Sequence, residues 1–270
     1  MGVFFLFLLA LAAGCLSTLF WIPEDDLGRG YFQLNALILL ALLALAVALF
    51  LLHPFEPFAG PRGAVTLFGG FAACFGYYAG VWRQLWRVAR GFAALALATT
   101  VAALLGAGHQ LLPAAAAPLP YRGTLLAGAL LSSALLLGWS LTTMLLGHWY
   151  LVAPRLSFRH LTVFCAALTG LVVVRTATAA AGMTAAALAD PALEPHPWTL
   201  LAGLAGEGIF LWFRLLWGLA IPLALGLMAL HCARQRSNQS ATGILYVLVV
   251  GSFIGEITAL YLTLSTGVPV

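Results

Sequence analysis

Long apolar runs separated by short polar breaks make up most of the chain. Eight of these runs are about as long as a helix that crosses a bilayer, for which about 20 residues are needed. They cover about 2–21, 31–53, 64–82, 91–112, 123–152, 160–188, 199–230 and 242–265. The breaks carry proline, glycine and charged residues, which are typical of turns. The pattern predicts an all-α fold, a polytopic membrane bundle of about eight transmembrane helices.

The composition supports this prediction. Of the 270 residues, 63% are hydrophobic and 7% are charged, against roughly 45–50% and about 25% in an ordinary soluble domain. None of the breaks is long enough to fold independently, so residues 1–270 are predicted to form a single transmembrane domain with no soluble domain. Any water-soluble catalytic or redox domain would then belong to another polypeptide. No catalytic or phosphate-binding motif and no nucleic-acid-binding stripe is found.

The first run has the length of an export signal, and the sequence LAAGC at 11–15 resembles a lipoprotein cleavage site. It lacks the positively charged start of a signal peptide, and Ala12 stands three residues before Cys15. We therefore expect an uncleaved span.

The arginines predict the orientation, because cytoplasmic loops carry the excess of positive charge. All twelve basic residues are arginine, which together with the excess of alanine and leucine indicates a GC-rich bacterial source. With alternating spans, one side collects Arg29, Arg83, Arg87, Arg90, Arg155, Arg159, Arg234 and Arg236, and the other only Arg62 and Arg122. The first side is predicted to be cytoplasmic, with both termini on the outer side of a bacterial inner membrane. The acidic sequence PEDD at 23–26 is discordant with this side.

Four ionisable residues fall inside the apolar runs: Arg175, Glu207, Arg214 and Glu256. A charge at the bilayer centre costs at least about 2.5–3.5 kcal/mol, so such residues are expected to face the bundle interior. At about 1.5 Å per residue, Arg175 and Glu256 lie about 22 and about 21 Å from the inner surface, and Glu207 about 12 Å below the outer one. We predict an Arg175–Glu207 ion pair, with Glu256 as a proton-handling acid. The alternative is a polar clamp that only fixes helix packing.

Arg214 lies two turns from Glu207 on the inner side, where we expect it to meet the region of His148. Pro222 follows in the same run, and its missing amide hydrogen should kink the helix and free the carbonyl of Gly218.

The histidines divide into an outer and an inner group. His148 follows Gly147, which allows a neighbouring helix or a flat ligand to come close, so a ligand contact is one hypothesis for it. Two histidines at equal depth are what a b-type haem needs, and either His53 with His109 or His148 with His231 would meet that condition. The four cysteines are scattered and are interpreted as packing residues. No metal site is predicted.

The topology and the sequence IGEITALYL, which contains Glu256, resemble the membrane-anchor subunits of dimethyl-sulfoxide-reductase and polysulfide-reductase complexes. That resemblance implies a subunit that exchanges electrons and protons with a quinone and passes electrons to an iron–sulfur partner. Only Glu256 is carried over from it, because the other quinone-site residues of that family cannot be aligned onto the first four spans.

Three functional hypotheses follow. The first is a quinone-interacting subunit of a respiratory electron-transfer complex, not catalytic alone, that anchors iron–sulfur or cytochrome subunits beside other membrane subunits. Its ligand would be menaquinone or ubiquinone, and its site residues Glu256, Arg175 and Glu207 with His148, Arg214, His53, His109 and His231. The second is a proton-coupled transporter or an assembly-type membrane protein. The third is a membrane subunit that binds a b-type haem.

Overall fold

The computed structural model describes residues 1–53, 60–112, 122–152, 159–189 and 196–270. Over these ranges every regular element is helical. The helices are α1 (Gly2–Thr18), α2 (Glu24–Leu52), α3 (Pro61–Trp82), α4 (Trp86–Leu111), α5 (Arg122–Val152), α6 (Arg159–Ala189), α7 (Pro197–Ala202), α8 (Glu207–Leu215), α9 (Ile221–Arg234) and α10 (Asn238–Thr266), with a π-helical turn at Leu216–Ala220 between α8 and α9.

Seven helical stretches within the described residues are long and apolar enough to cross a membrane. They are Glu24–Leu52, Pro61–Trp82, Trp86–Leu111, Gly123–Val152, Arg159–Leu188, Glu207–Arg234 and Asn238–Thr266. The predicted first run is the shorter apolar helix α1, of 17 residues. The prediction of an all-helical, polytopic membrane bundle is thus confirmed in its general form.

Helix α1 is the centre of the bundle. Every residue from Phe5 to Leu16 is buried, and the helix packs against α2, α4, α5 and α10. A helix that is apolar on all faces is suited to complete enclosure by other helices. Four other helices therefore enclose a core helix that the sequence pattern presents as one more span.

Two glycines allow α1 and α5 to touch along their backbones. A Cβ atom on Gly14 or on Gly138 would collide with main-chain atoms of the opposite helix. One turn further along the contact, the hydroxyl of Thr18 donates to that of Thr142 at 3.3 Å. Small residues at a crossing are a common way for membrane helices to gain close packing.

One end of the bundle, the arginine-rich end, gathers the described arginines of the predicted inner side. It also contains the discordant acids, and each of two has a basic partner there: Glu24 pairs with Arg90, and Asp26 with His160 at 2.8 Å. Arg155 lies outside the described residues. Gly2 lies against Leu111 and Leu264, so the start of α1 and the end of α10 share the opposite end. The acids at 23–26 are therefore compatible with the arginine-rich end.

The seventh predicted span is broken. Residues 203–206 interrupt the helix, and the chain re-enters helix at Glu207 after Gly206, whose φ of +57° suits a residue without a Cβ atom. The indole of Trp212 donates to the carbonyl of Leu201 at 3.1 Å and ties α7 to α8. The spanning helix thus begins eight residues later than 199, the start that the apolar run predicts.

We expect Gly138→Ala to destabilise the protein because its methyl group would push α1 and α5 apart, an overpacking that typically costs about 1–3 kcal/mol. Thermal unfolding in detergent, followed by tryptophan fluorescence, measures the effect. Gly128→Ala is the matched control on the same helix, since a Cβ atom there meets nothing within 4 Å. Equal melting temperatures for the two variants would contradict the proposed crossing.

Candidate functional site

Three charged side chains meet inside the bundle, away from lipid. Arg175 on α6, Arg214 on α8 and Glu256 on α10 are 2%, 1% and 0% exposed. Arg175 Nε donates to both carboxylate oxygens of Glu256 at 3.1 Å. Arg214 Nη2 lies 2.8 Å from Glu256 Oε1. The carboxylate thus joins three helices through two guanidinium groups.

Glycines bring the helices close enough for this contact. On α10, Gly251 and Gly255 are spaced as in the GxxxG packing pattern, and both face the π-helical turn. A Cβ atom on Gly255 would collide with the backbone of Gly218, and one on Gly251 would lie 3.1 Å from the carbonyl oxygen of Trp217. Because Glu256 directly follows Gly255, the close approach of α10 to the π-helical turn places the Glu256 carboxylate next to Arg214.

The carbonyl of Gly218 is held by an arginine of its own helix. Pro222 has no amide hydrogen, so it cannot supply the usual helical hydrogen bond to Gly218. Arg214 Nη1 donates to this oxygen instead, at 3.1 Å. The predicted helix irregularity at Pro222 is therefore present as a π-helical turn, and the freed carbonyl fixes the position of the Arg214 side chain.

Hydroxyl groups of α5, α6 and α10 border the charged cluster. Thr178 shares a 2.9 Å hydrogen bond with Ser132 and accepts a long one, at 3.5 Å, from Arg175 Nη1. The Ser133 hydroxyl lies beside the Glu256 carboxylate, but not in hydrogen-bonding geometry. Ser252, one turn before Glu256, is buried with no hydrogen-bond partner among the described residues. The site therefore holds polar groups with spare hydrogen-bonding capacity.

The cluster has more donors and more positive charge than its own residues balance. Two guanidinium groups face one carboxylate, which leaves a net charge of +1 if all three are ionised. Arg214 Nε and Nη2 are buried with no hydrogen-bond partner among the described residues; the Nη2–Oε1 contact has the distance of an ion pair but not hydrogen-bonding geometry. Buried donors are normally satisfied, so these atoms mark a place for an acceptor.

An apolar cleft of about 200 Å³ lies between α6 and the broken span, and Arg175, Arg214 and Glu256 are not among the residues that line it. Its wall includes Thr176, Leu215 and Leu219, which follow Arg175, Arg214 and Gly218 in the chain, together with Trp198 of α7. The volume is smaller than the roughly 300–1,000 Å³ of pockets that enclose a whole drug-sized ligand. It suits a headgroup whose apolar tail stays in the lipid.

The predicted Arg175–Glu207 ion pair is wrong, because Arg175 binds Glu256 instead. Glu207 is half-buried at the start of α8, and no ion pair involves it among the described residues. The break at 203–206 explains the error, because it moves Glu207 from the predicted helix interior to the beginning of the span. Glu256 is accordingly not the unpaired acid that the sequence suggested.

The histidines take positions away from the cluster. His148 Nδ1 lies 3.2 Å from the Tyr246 hydroxyl, and His231 Nε2 lies 2.9 Å from the Gln235 amide nitrogen. The expectation that Arg214 meets the His148 region is wrong, since its guanidinium lies against Glu256 and Gly218. His109 lies near Gly123 on α5, and His53 directly follows α2.

The helix arrangement also bears on the two predicted histidine pairs. Helices α6 and α10 each pack against both α5 and α9, and α1 and α3 each pack against both α2 and α4. The helices that carry each pair therefore lie at opposite corners of a four-helix group.

Within the described residues, no group of three or more histidine, cysteine or acidic side chains forms a metal site.

Comparison of the chain with protein-family models, with curated proteins and with solved structures finds no match.

We expect Glu256→Gln to destabilise the fold strongly, because it leaves two buried guanidinium groups without a counter-charge. Removing one partner of a buried ion pair typically costs about 3–5 kcal/mol. The melting temperature and the monodisperse yield in detergent measure the loss. Glu207→Gln is the control, with the same chemical change at a half-buried position outside the cluster.

A double variant tests whether Glu256→Gln destabilises the protein through the uncompensated charge of the arginines or through the changed side chain itself. Replacing Arg214 by Met in the Glu256→Gln background removes one of the two uncompensated charges, so the double variant should be more stable than Glu256→Gln alone. Additive effects of the two substitutions would show that Arg214 and Glu256 are not energetically coupled.

Proposed function

We propose that this protein is a quinone-interacting membrane subunit of a respiratory electron-transfer complex, and that the quinone headgroup binds beside the Arg175–Glu256–Arg214 cluster. The observation that carries the proposal is the buried Nε of Arg214, which has no hydrogen-bond partner among the described residues, together with Nη2, whose contact with Glu256 lacks hydrogen-bonding geometry. The next residue in the chain, Leu215, lines an apolar cleft. A quinone presents carbonyl acceptors on a flat apolar ring, the chemistry that such donors and such a cleft complement. Menaquinone and ubiquinone both meet this description.

Each residue of the cluster has a distinct task in this proposal. Arg214 Nε and Nη2 donate hydrogen bonds to a carbonyl oxygen of the headgroup, and Arg175 stands on the other side of the carboxylate. Both oxygens of Glu256 are engaged by guanidinium groups, so Glu256 orients the arginines rather than acting as a free acid. When bound, a quinone takes up two electrons and two protons. The hydroxyls of Ser133 and Ser252, which are buried without a hydrogen-bond partner among the described residues, are the groups that we propose to relay the protons.

The proposed topology has eight spans, with α1 as the first, both termini on the outer side and the arginine-rich end in the cytoplasm of a bacterium. The positive-inside rule supports this orientation. In this proposal, electrons pass to or from partner subunits that carry iron–sulfur clusters or cytochromes, alongside other membrane subunits. Such an arrangement matches the resemblance to dimethyl-sulfoxide-reductase and polysulfide-reductase anchors.

The broken seventh span favours a second candidate, a proton-coupled transporter. Discontinuous helices in many transporters place free backbone groups at a substrate site, and residues 203–206 with the π-helical turn form such a discontinuity here. Vesicle uptake of a solute by the purified protein alone, abolished by Arg175→Met, would select this function. A haem Soret band in the purified protein would instead select the b-type haem form of the electron-transfer proposal.

We expect decyl-ubiquinone or menadione to quench the tryptophan fluorescence of the purified protein saturably, because Trp198 lines the cleft. Trp198→Phe should reduce the quenching amplitude. Arg214→Met should weaken binding about tenfold or more, since hydrogen bonds from a charged donor contribute about 1.5–3 kcal/mol. This variant keeps the Arg175–Glu256 pair and so remains charge-balanced.

Arg87→Met is the matched control, because Arg87 is exposed at the arginine-rich end. It should leave the affinity unchanged. Quenching that does not saturate, or that is equal in the Arg214→Met and Arg87→Met variants, would overturn the proposed quinone site.

A further inference from the structure

A short segment after α10 folds back into the bundle beside the charged cluster. Gly267 has a φ of +75°, a left-handed conformation that reverses the chain after Thr266. Val268 and Val270 are only 2% and 3% exposed. They pack on Met183, Leu200, Leu211 and Leu262, which belong to the surrounding helices. Residues 267–270 therefore occupy interior space that borders the cleft.

The last oxygen of this segment lies on the cluster itself. Arg175 Nη2 donates a hydrogen bond to the main-chain oxygen of Val270. Apart from this bond, the hydrogen bonds of the segment go to two threonines of α10. Gly267 N donates to the Thr263 carbonyl at 3.0 Å, Val268 N to the Thr266 hydroxyl at 3.2 Å and Val270 N to the Thr263 hydroxyl at 3.4 Å. Few polar contacts thus oppose its withdrawal.

Helix α6 makes room for the segment at one glycine. The main-chain oxygen of Pro269 lies where a Cβ atom on Gly182 would be. No side chain, not even that of alanine, fits there while the segment is in place. A single methyl group at Gly182 can therefore test whether residues 267–270 pack against α6 at this position.

The main-chain oxygen of Val270 accepts a hydrogen bond from a guanidinium between apolar side chains, and so occupies a donor that a ligand carbonyl can also use. Met183 and Leu215 contact the apolar cluster around the segment and also line the cleft. We infer that residues 267–270 are a displaceable plug: the Val270 oxygen holds the place on Arg175 that a carbonyl of the bound ligand takes over. This inference rests on the proposed function and adds to it a second contact of the ligand, from Arg175 to a carbonyl oxygen, for which the Val270 oxygen competes.

Gly182→Ala tests the plug. The added methyl group should evict Pro269 and leave Arg175 available, so decyl-ubiquinone should bind about two- to tenfold more tightly than to the wild type, the effect of removing one competing hydrogen bond. Gly170→Ala is the matched control on the same helix, since a Cβ atom there meets nothing within 4 Å. Its affinity should equal that of the wild type.

A second measurement follows the segment directly. Val270→Cys, in a background with Cys232→Ser, places a thiol on the plug, while Cys15, Cys74 and Cys165 are buried. Maleimide labelling should be slow in the free protein and faster with saturating decyl-ubiquinone.

The outcomes separate the two ideas. If wild type binds decyl-ubiquinone but Gly182→Ala matches Gly170→Ala and the labelling rate does not change, the plug is wrong and the quinone site stands. If wild type shows no saturable binding, the proposed function fails and the plug falls with it.

Discussion

The fold depends on the burial of two guanidinium groups against one carboxylate in a bundle with almost no other charge. Taking ions out of water is costly, and their attraction compensates only when the geometry is good and further hydrogen bonds satisfy the remaining donors. Arg175 and Glu256 meet that condition, because Arg175 Nε donates to both carboxylate oxygens and the other two nitrogens of Arg175 also have acceptors. Arg214 meets it in part, through Glu256 and the carbonyl of Gly218. The three residues come from α6, α8 and α10. Any other packing of these helices would separate the charges in an apolar interior, so the ion pairs favour the observed packing.

That arrangement is built from a local defect in one helix. Pro222 deprives the Gly218 carbonyl of its usual partner, the helix widens into a π-helical turn, and the arginine four residues earlier turns to satisfy the oxygen. Because neither Gly218 nor Gly255 has a side chain, α10 can approach the widened turn along its backbone, and the next residue is the carboxylate. The π-helical turn thus positions the Arg214 guanidinium and also allows the Glu256 carboxylate to come close to it. With a regular helix at 216–220, the Gly218 carbonyl would no longer need a hydrogen bond from Arg214.

Much of this was predictable from the sequence. The helical membrane bundle follows from the apolar runs, and the inward-facing charges follow from the cost of exposing them to lipid. The correct partner of Arg175 could also have been predicted. At about 1.5 Å per residue, Arg175 and Glu256 lie at almost equal distances, about 22 and about 21 Å, from the inner surface. The choice of Glu207 failed because the uniform rise treats 199–230 as one helix, whereas the break before Glu207 shifts the helix start by eight residues, or about 12 Å. The return of residues 267–270 could not be predicted, because an apolar tail carries no periodicity that specifies where it docks.

The excess of donors over acceptors at Arg214 is the feature on which the proposal of a binding site, rather than a clamp, depends. A clamp that only fixes helix packing is most stable when every buried donor is paired, and a second carboxylate or a carbonyl near Arg214 Nε would achieve that at little cost. Among the described residues, Arg214 Nε and the hydroxyl of Ser252 are instead buried without a hydrogen-bond partner, and Arg214 Nη2 has only its ion-pair contact with Glu256. An unsatisfied buried donor costs about 1–3 kcal/mol, and a carbonyl ligand recovers that free energy on binding. Arg175, in contrast, donates a hydrogen bond from each of its three nitrogens, Nε to Glu256, Nη1 to Thr178 and Nη2 to the main-chain oxygen of Val270. The imbalance of the cluster is therefore concentrated at Arg214.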